Sequence, residues 1–215
     1  MIIFDWDGTL CDSVGHIVRG VQTAAREMGL PAPSDAAAAD IIGLALPQAM
    51  AVLFPEVSEP RRLELIEGYS RHYIANEEDP PELFPGAVET LRALKASGRE
   101  IAVATGKSRR GLDRILSKLE LSDFFDATRC ADETRSKPHP LMIHEIMQER
   151  GVPSERVIMV GDTEYDLEMA SNAGVASVGV SFGVHSIERL ETHGPVAIVD
   201  ELPQLLDLPA LAGPL

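Results

Sequence analysis

Short apolar runs that stop abruptly, each followed by a stretch of helical periodicity, constrain this chain more than any other feature. Ile2-Ile3-Phe4 runs into the turn-forming Asp7-Gly8; Glu100–Thr105 and Arg156–Gly161 repeat the pattern, and Val175–Val180 and Val196–Val199 add two more. Runs that are apolar at successive positions, rather than alternate ones, suit strands covered on both faces, which is the habit of parallel sheets. Apolar spacing near the helical period predicts helices over Ala87–Ala96, Gly111–Leu119, Leu141–Arg150 and Asp166–Asn172. Strand and helix alternate, so the expected body is an α/β fold built on a doubly wound, mostly parallel sheet.

The interval from Ser13 to about Pro81 breaks the rhythm. It carries helical patterns over Ile17–Met28, Ala36–Ile42, Pro47–Leu53 and Glu59–Glu77 without a strand, and reads as an inserted small α-helical domain. The acidic, proline-rich Glu77-Glu78-Asp79-Pro80-Pro81 suits a linker, after which Leu83-Phe84-Pro85-Gly86 restarts the body. The expected division is therefore a body of residues 1–13 and 82–215 and an insert of residues 14–81. A chain of 215 residues with 45% hydrophobic content can bury the core that such a body needs.

Thirty-four acidic residues against 19 basic ones give a formal net charge of -15, which disfavours attraction to nucleic acid or to an anionic membrane. A chain this acidic can bind an anion only where a metal, a lysine or backbone amides cancel the field locally. The two cysteines, Cys11 and Cys130, lie far apart and suggest reduced thiols rather than a disulfide framework. No run reaches membrane-spanning length and the apolar start is broken by Asp5 and Asp7, so a cytoplasmic protein is expected, as monomer or homodimer.

Carboxylates stand where two of the strands end. Asp5-Trp6-Asp7-Gly8-Thr9 follows the first run, at the carboxyl end where open α/β sheets place their ligands. A carboxylate can attack phosphorus when a divalent cation offsets the repulsion, and a second carboxyl can move the proton of the leaving oxygen. Solvated turn aspartates would look the same in isolation. Gly161-Asp162-Thr163-Glu164-Tyr165-Asp166 repeats the device, with Asp162 and Asp166 one helical turn apart and suited to oxygen ligation of magnesium; helix capping by Asp162 is the plainer alternative. Thr105-Gly106 offers neutral donors to phosphate oxygens, and Lys137, before Pro138, offers a compact charge. Lys107 reads as a surface or helix-start lysine.

These four segments, in this order at strand ends, resemble the four motifs of the haloacid dehalogenase superfamily. The resemblance implies Asp5 as nucleophile and Asp7 as general acid and base. It implies that Thr105 and Lys137 bind phosphate, with Gly8, Thr9 and Gly106 lining the same site. Magnesium would be ligated by Asp5, Asp162, Asp166 and the backbone carbonyl of Asp7. The insert resembles the helical cap of the subgroup that includes phosphoglycolate phosphatases, in which Gly43 of the Ile42–Pro47 stretch and Arg71 of the Tyr69–Tyr73 run would face the substrate. Against this, a polar helix face would explain Arg71 and His72. The Gly179–His185 loop resembles one bordering the family's active site, although packing explains its glycines equally well.

Asp7 argues against a dehalogenase or phosphonatase, which lack this second aspartate. The resemblance therefore implies a magnesium-dependent phosphatase that hydrolyses a small, phosphoglycolate-like monoester through an aspartyl phosphate. A β-phosphoglucomutase-like phosphotransferase and a catalytically silent binding or regulatory module on the same fold are the alternatives. Isomerised hexose phosphate without phosphate release would mark the first, and inertness with magnesium across many esters the second.

Overall fold

The computed structural model describes residues 1–75 and 81–209. The expected linker at Glu77–Pro81 and the last two residues of the Glu59–Glu77 helix thus fall, Pro81 apart, outside the described residues. Six parallel strands form one sheet: β1 (Ile2–Phe4), β2 (Ile101–Thr105), β3 (Ala127–Cys130), β4 (Ile158–Gly161), β5 (Ala176–Val180) and β6 (Ala197–Val199), in the order β3-β2-β1-β4-β5-β6. The chain starts in the middle and winds outward to both sides, which leaves a crevice at the carboxyl end of β1. Phe4 pairs with both Val103 and Val160, so the residues that follow β1, β2 and β4 emerge side by side.

Alternation of side chains along β1 explains why an unbroken apolar run is needed there. Ile2 and Phe4 join one buried cluster with Leu91, Leu94, Val103 and Leu112, while Ile3 joins another with Ala102, Met142, Ile146 and Met159. The first cluster is closed by α5 (Ala87–Ala96) and α6 (Arg109–Lys118), the second by α7 (Leu141–Arg150) and α8 (Glu164–Ala173). A short α9 (Ile187–Glu191) follows β5.

The expected insert, described over residues 14–75, holds α1 (Val14–Glu27), α2 (Asp35–Asp40), α3 (Leu46–Leu53) and α4 (Glu59–Ala75) and, among the described residues, no strand. Ile17, Val21, Ala24, Met50, Phe54 and Leu65 give it an apolar cluster of its own, against which Tyr165 and Val184 of the sheet body pack. All five expected strands keep their positions to within two residues. The expectation missed β3 and α9. Among the described residues, no helix is long and apolar enough to cross a membrane.

Candidate active site

Asp5, immediately beyond β1, is 1% exposed, and its Oδ1 accepts a 2.6 Å hydrogen bond from Lys137 Nζ. The same ammonium donates at 2.6 Å to Asp166 Oδ1. Lys137 is itself entirely buried, carried in by the loop before α7. Asp162, one residue past β4, accepts from Thr9 Oγ1 at 2.8 Å and from the Val184 amide at 2.9 Å. Thr163, not Asp162, is the N-cap of α8, and Asp166 in the first turn accepts from the Thr163 amide and hydroxyl at 3.2 and 2.7 Å. The plainer capping reading of Asp162 therefore gives way, because a neighbour already fills that position.

Oxygens of Asp5, Asp162 and Asp166 lie within 4.8 Å of one another. Two of these three buried carboxylates, Asp5 and Asp166, pair with the one buried ammonium, so with all three ionised the cluster carries two negative charges in excess, which a divalent cation would balance. Burial first, and then the neighbouring carboxylates against the pull of Lys137, hold Asp5 well above the ordinary carboxylate range. Burial and the Asp166 carboxylate push Asp162 up to about 7. Burial alone would lower Lys137, but Asp166 and Asp5 raise it overall, so it stays charged. Asp5 Oδ2 is buried and takes no hydrogen bond among the described residues. Hard oxygen donors, excess charge and one unsatisfied oxygen together fit a cation such as magnesium.

Glycines keep this cluster tight. Gly8 has φ +85°, and a Cβ there would lie 2.2 Å from Asp162 Oδ2; at Gly183, in the loop after β5, it would lie 2.1 Å from Asp162 Cβ. The Gly179–His185 loop thus borders the carboxylates, and its Gly183 is required by space rather than by backbone angle.

A family model for haloacid dehalogenase-like hydrolases matches residues 2–180. The chain belongs to that family. It is 35% identical over 210 residues to probable phosphatase IndB of Dickeya dadantii, covering 96% of this chain and 91% of the relative. It is 30% identical over 217 residues to phosphoglycolate phosphatase of Vibrio vulnificus, covering 97% and 95%. A haloacid dehalogenase-like hydrolase from Bacteroides fragilis superposes with TM-score 0.89 at 25% identity, covering 95% of this chain and 98% of that one. Membership and these phosphatase relatives make the chain a phosphoric monoester hydrolase.

Asp7 is not part of the Asp5, Asp162 and Asp166 group. Its Oδ1 accepts from Ser13 Oγ at 2.6 Å and from Lys107 Nζ at 2.8 Å, and the residue lines a cavity of about 410 Å³ between sheet body and helical insert. Ser13 is the N-cap residue of α1 but makes no side-chain cap bond, its hydroxyl being donated to Asp7 instead. The reading of Lys107 as a surface lysine is corrected here, since its side chain is only 9% exposed. Burial would lower the ammonium, yet Asp7 and the Tyr73 and Tyr69 hydroxyls leave it well above its usual value. Nothing in a single lysine beside Thr105-Gly106 marked it; the signal was its position, two residues past a strand end.

Thr105 is buried, with Oγ1 accepting the Lys107 amide at 3.2 Å. Gly106 and Gly43 both line the cavity, and a Cβ on Gly106 would lie 2.7 Å from the carbonyl oxygens of Gly43 and Leu44. Gly8 and Thr9 sit behind, against Asp162, and are not among the cavity's lining residues. Arg71 is exposed on α4 and does not line the cavity, whereas Tyr69, Ser70 and Tyr73 of the same run do.

Proposed function

We propose that this hydrolase is a magnesium-dependent phosphatase of small phosphomonoesters, with phosphoglycolate as the reference substrate suggested by its relatives' names, and that it works through an aspartyl phosphate. The observation that carries the reading is Asp5, whose Oδ1 is anchored by Lys137 while Oδ2 is buried and uncommitted. Asp5 would attack phosphorus as the ester P–O bond breaks, and Asp7 would give its proton to the departing oxygen. Asp7 would then take a proton from water, whose oxygen attacks the same phosphorus and frees Asp5 and inorganic phosphate. Lys137 and the Thr105 hydroxyl would meet the charge on the phosphoryl oxygens. Asp5, Asp162 and Asp166, with the Asp7 carbonyl, would hold magnesium, which when bound supplies the positive charge that lets a carboxylate approach a phosphate.

Residues 14–81 would act as a cap that excludes bulk water from the reaction. Buried free thiols at Cys11 and Cys130 suit a cytoplasmic setting. Phosphate release from p-nitrophenyl phosphate with magnesium is the direct test: Asp5→Asn should lower it by at least about a thousandfold, the scale of losing a nucleophile. A wild-type protein that is inert with magnesium across a broad panel of monoesters overturns the reading.

A further inference from the structure

The cavity beside Asp7 has two chemically different walls. On the sheet side stand all of its charged residues: Asp7, Lys107, Arg110, Arg114 and Asp132. The lining residues supplied by the helical insert carry no charge, and they include Ile17, Ile42, Leu44, Ile66, Tyr69 and Tyr73. The Tyr69 and Tyr73 rings lie 5.7 Å apart at a 40° tilt, forming one continuous aromatic surface. The volume of about 410 Å³ falls in the range of pockets for whole organic ligands, roughly 300–1,000 Å³. It equals roughly a dozen water volumes, far more than a two-carbon acid fills.

Resting on the phosphatase reading above, we infer that the leaving group this site accepts is an alcohol with an apolar body, and that the substrates are phosphate monoesters of such alcohols rather than of small hydroxy acids. A carboxylate turned toward the insert would be desolvated against isoleucine, leucine and tyrosine with no cation on that side. Lys107 is committed to Asp7 at 2.8 Å and lies 4.9 Å from the Tyr73 ring centre, and the other two cations of the lining, Arg110 and Arg114, belong to α6 on the sheet side. An alkyl or aromatic body instead gains from every apolar surface it covers. Asp5 displaces the alcohol from phosphorus, with Asp7 supplying its proton, and water later displaces Asp5, so the body is bound only until the ester bond breaks and then leaves as the free alcohol.

The test is a series of primary n-alkyl phosphates from methyl to hexyl, alongside phosphoglycolate, assayed with magnesium for phosphate release. Primary alkyl groups keep the leaving oxygen's basicity almost constant, so chain length reports binding rather than chemistry. The expected result is a kcat/KM that rises by up to about fourfold per methylene, the equivalent of ~0.8 kcal/mol, with phosphoglycolate well below hexyl phosphate. Ile66→Gln, at a half-buried position, should cut the hexyl-to-methyl ratio by about tenfold, and an unchanged ratio counts against the assignment. Phosphate release that is independent of chain length, or fastest from phosphoglycolate, overturns the apolar leaving group while leaving the phosphatase reading intact. No release from any ester overturns both.

Discussion

At the residue scale the site is a problem of charge, and its solution predicts how stability depends on pH. Asp162 is pushed up to about 7 by burial and by Asp166, whereas an exposed aspartate titrates near 4. A carboxyl whose folded value lies above its unfolded one contributes stability that is complete below the unfolded value and is lost as pH rises through the folded one. In EDTA, denaturant unfolding should therefore show lower stability at about pH 8 than at about pH 6, and saturating magnesium, which favours the ionised form, should remove that decline. A second consequence concerns Lys137, which offsets Asp5 and Asp166 at 2.6 Å each. Lys137→Met should abolish activity and destabilise the magnesium-free protein by about 3–5 kcal/mol, the cost of stranding buried charge; a thermal melt unchanged from wild type would refute it. The aspartates were legible because a strand end, a glycine and carboxylates recur together in the sequence, whereas Lys137, before Pro138, stood out only through the resemblance. Lys107 was not legible, since it meets Asp7 across 100 residues and no local pattern encodes such a contact; Ser13, only six residues from Asp7, was not because its role depends on which way the Asp7 side chain points.

At the scale of elements, polar contacts join the helices of residues 14–75 to the sheet body. The Ala45 amide donates to Ser136 Oγ at 2.8 Å, the Tyr165 hydroxyl to the Asp40 carbonyl at 3.0 Å, and Arg189 binds both Asp40 and Glu164. Gly106 faces the carbonyls of Gly43 and Leu44 across this join, so a methyl group there must push backbone aside rather than a flexible side chain. Gly106→Ala should thus lower kcat/KM by about a hundredfold, the scale of an ångström's misplacement, while the melting temperature stays within a few degrees of wild type. A parallel collapse of stability would show that the glycine serves folding instead. The strands of the sheet centre were readable because both of their faces are buried and their sequences are apolar throughout. The edge strand β3 escaped because Ala-Thr-Arg-Cys is buried only at its ends, with Arg129 turned to Glu145 and Glu149. The start of α6 was placed two residues late, at Gly111, because glycine disfavours helix; the cap at Ser108, whose Oγ accepts the Gly111 amide at 3.2 Å, outweighs that preference.

Across the whole molecule, a formal charge of -15 and three mutually close buried carboxylates make the same demand at different ranges. Dispersed surface repulsion is relieved by any salt, since screening at ordinary ionic strength reaches only about 10 Å. Buried repulsion is not, because Asp5, Asp162 and Asp166 are shielded from the bulk ions that do the screening. Magnesium and sodium at matched ionic strength should therefore stabilise the protein to different extents. A ligand at a hundred times its dissociation constant stabilises by about 2.7 kcal/mol, and a domain of this size gains roughly 2–4 °C per kcal/mol. Magnesium should raise the melting temperature by about 5–10 °C beyond the matched sodium control, and Asp162→Asn should lose most of that excess while keeping the sodium response. Equal shifts from the two salts in the wild-type protein would mean that the cation acts only on the surface charge, and the buried carboxylates would then need another partner.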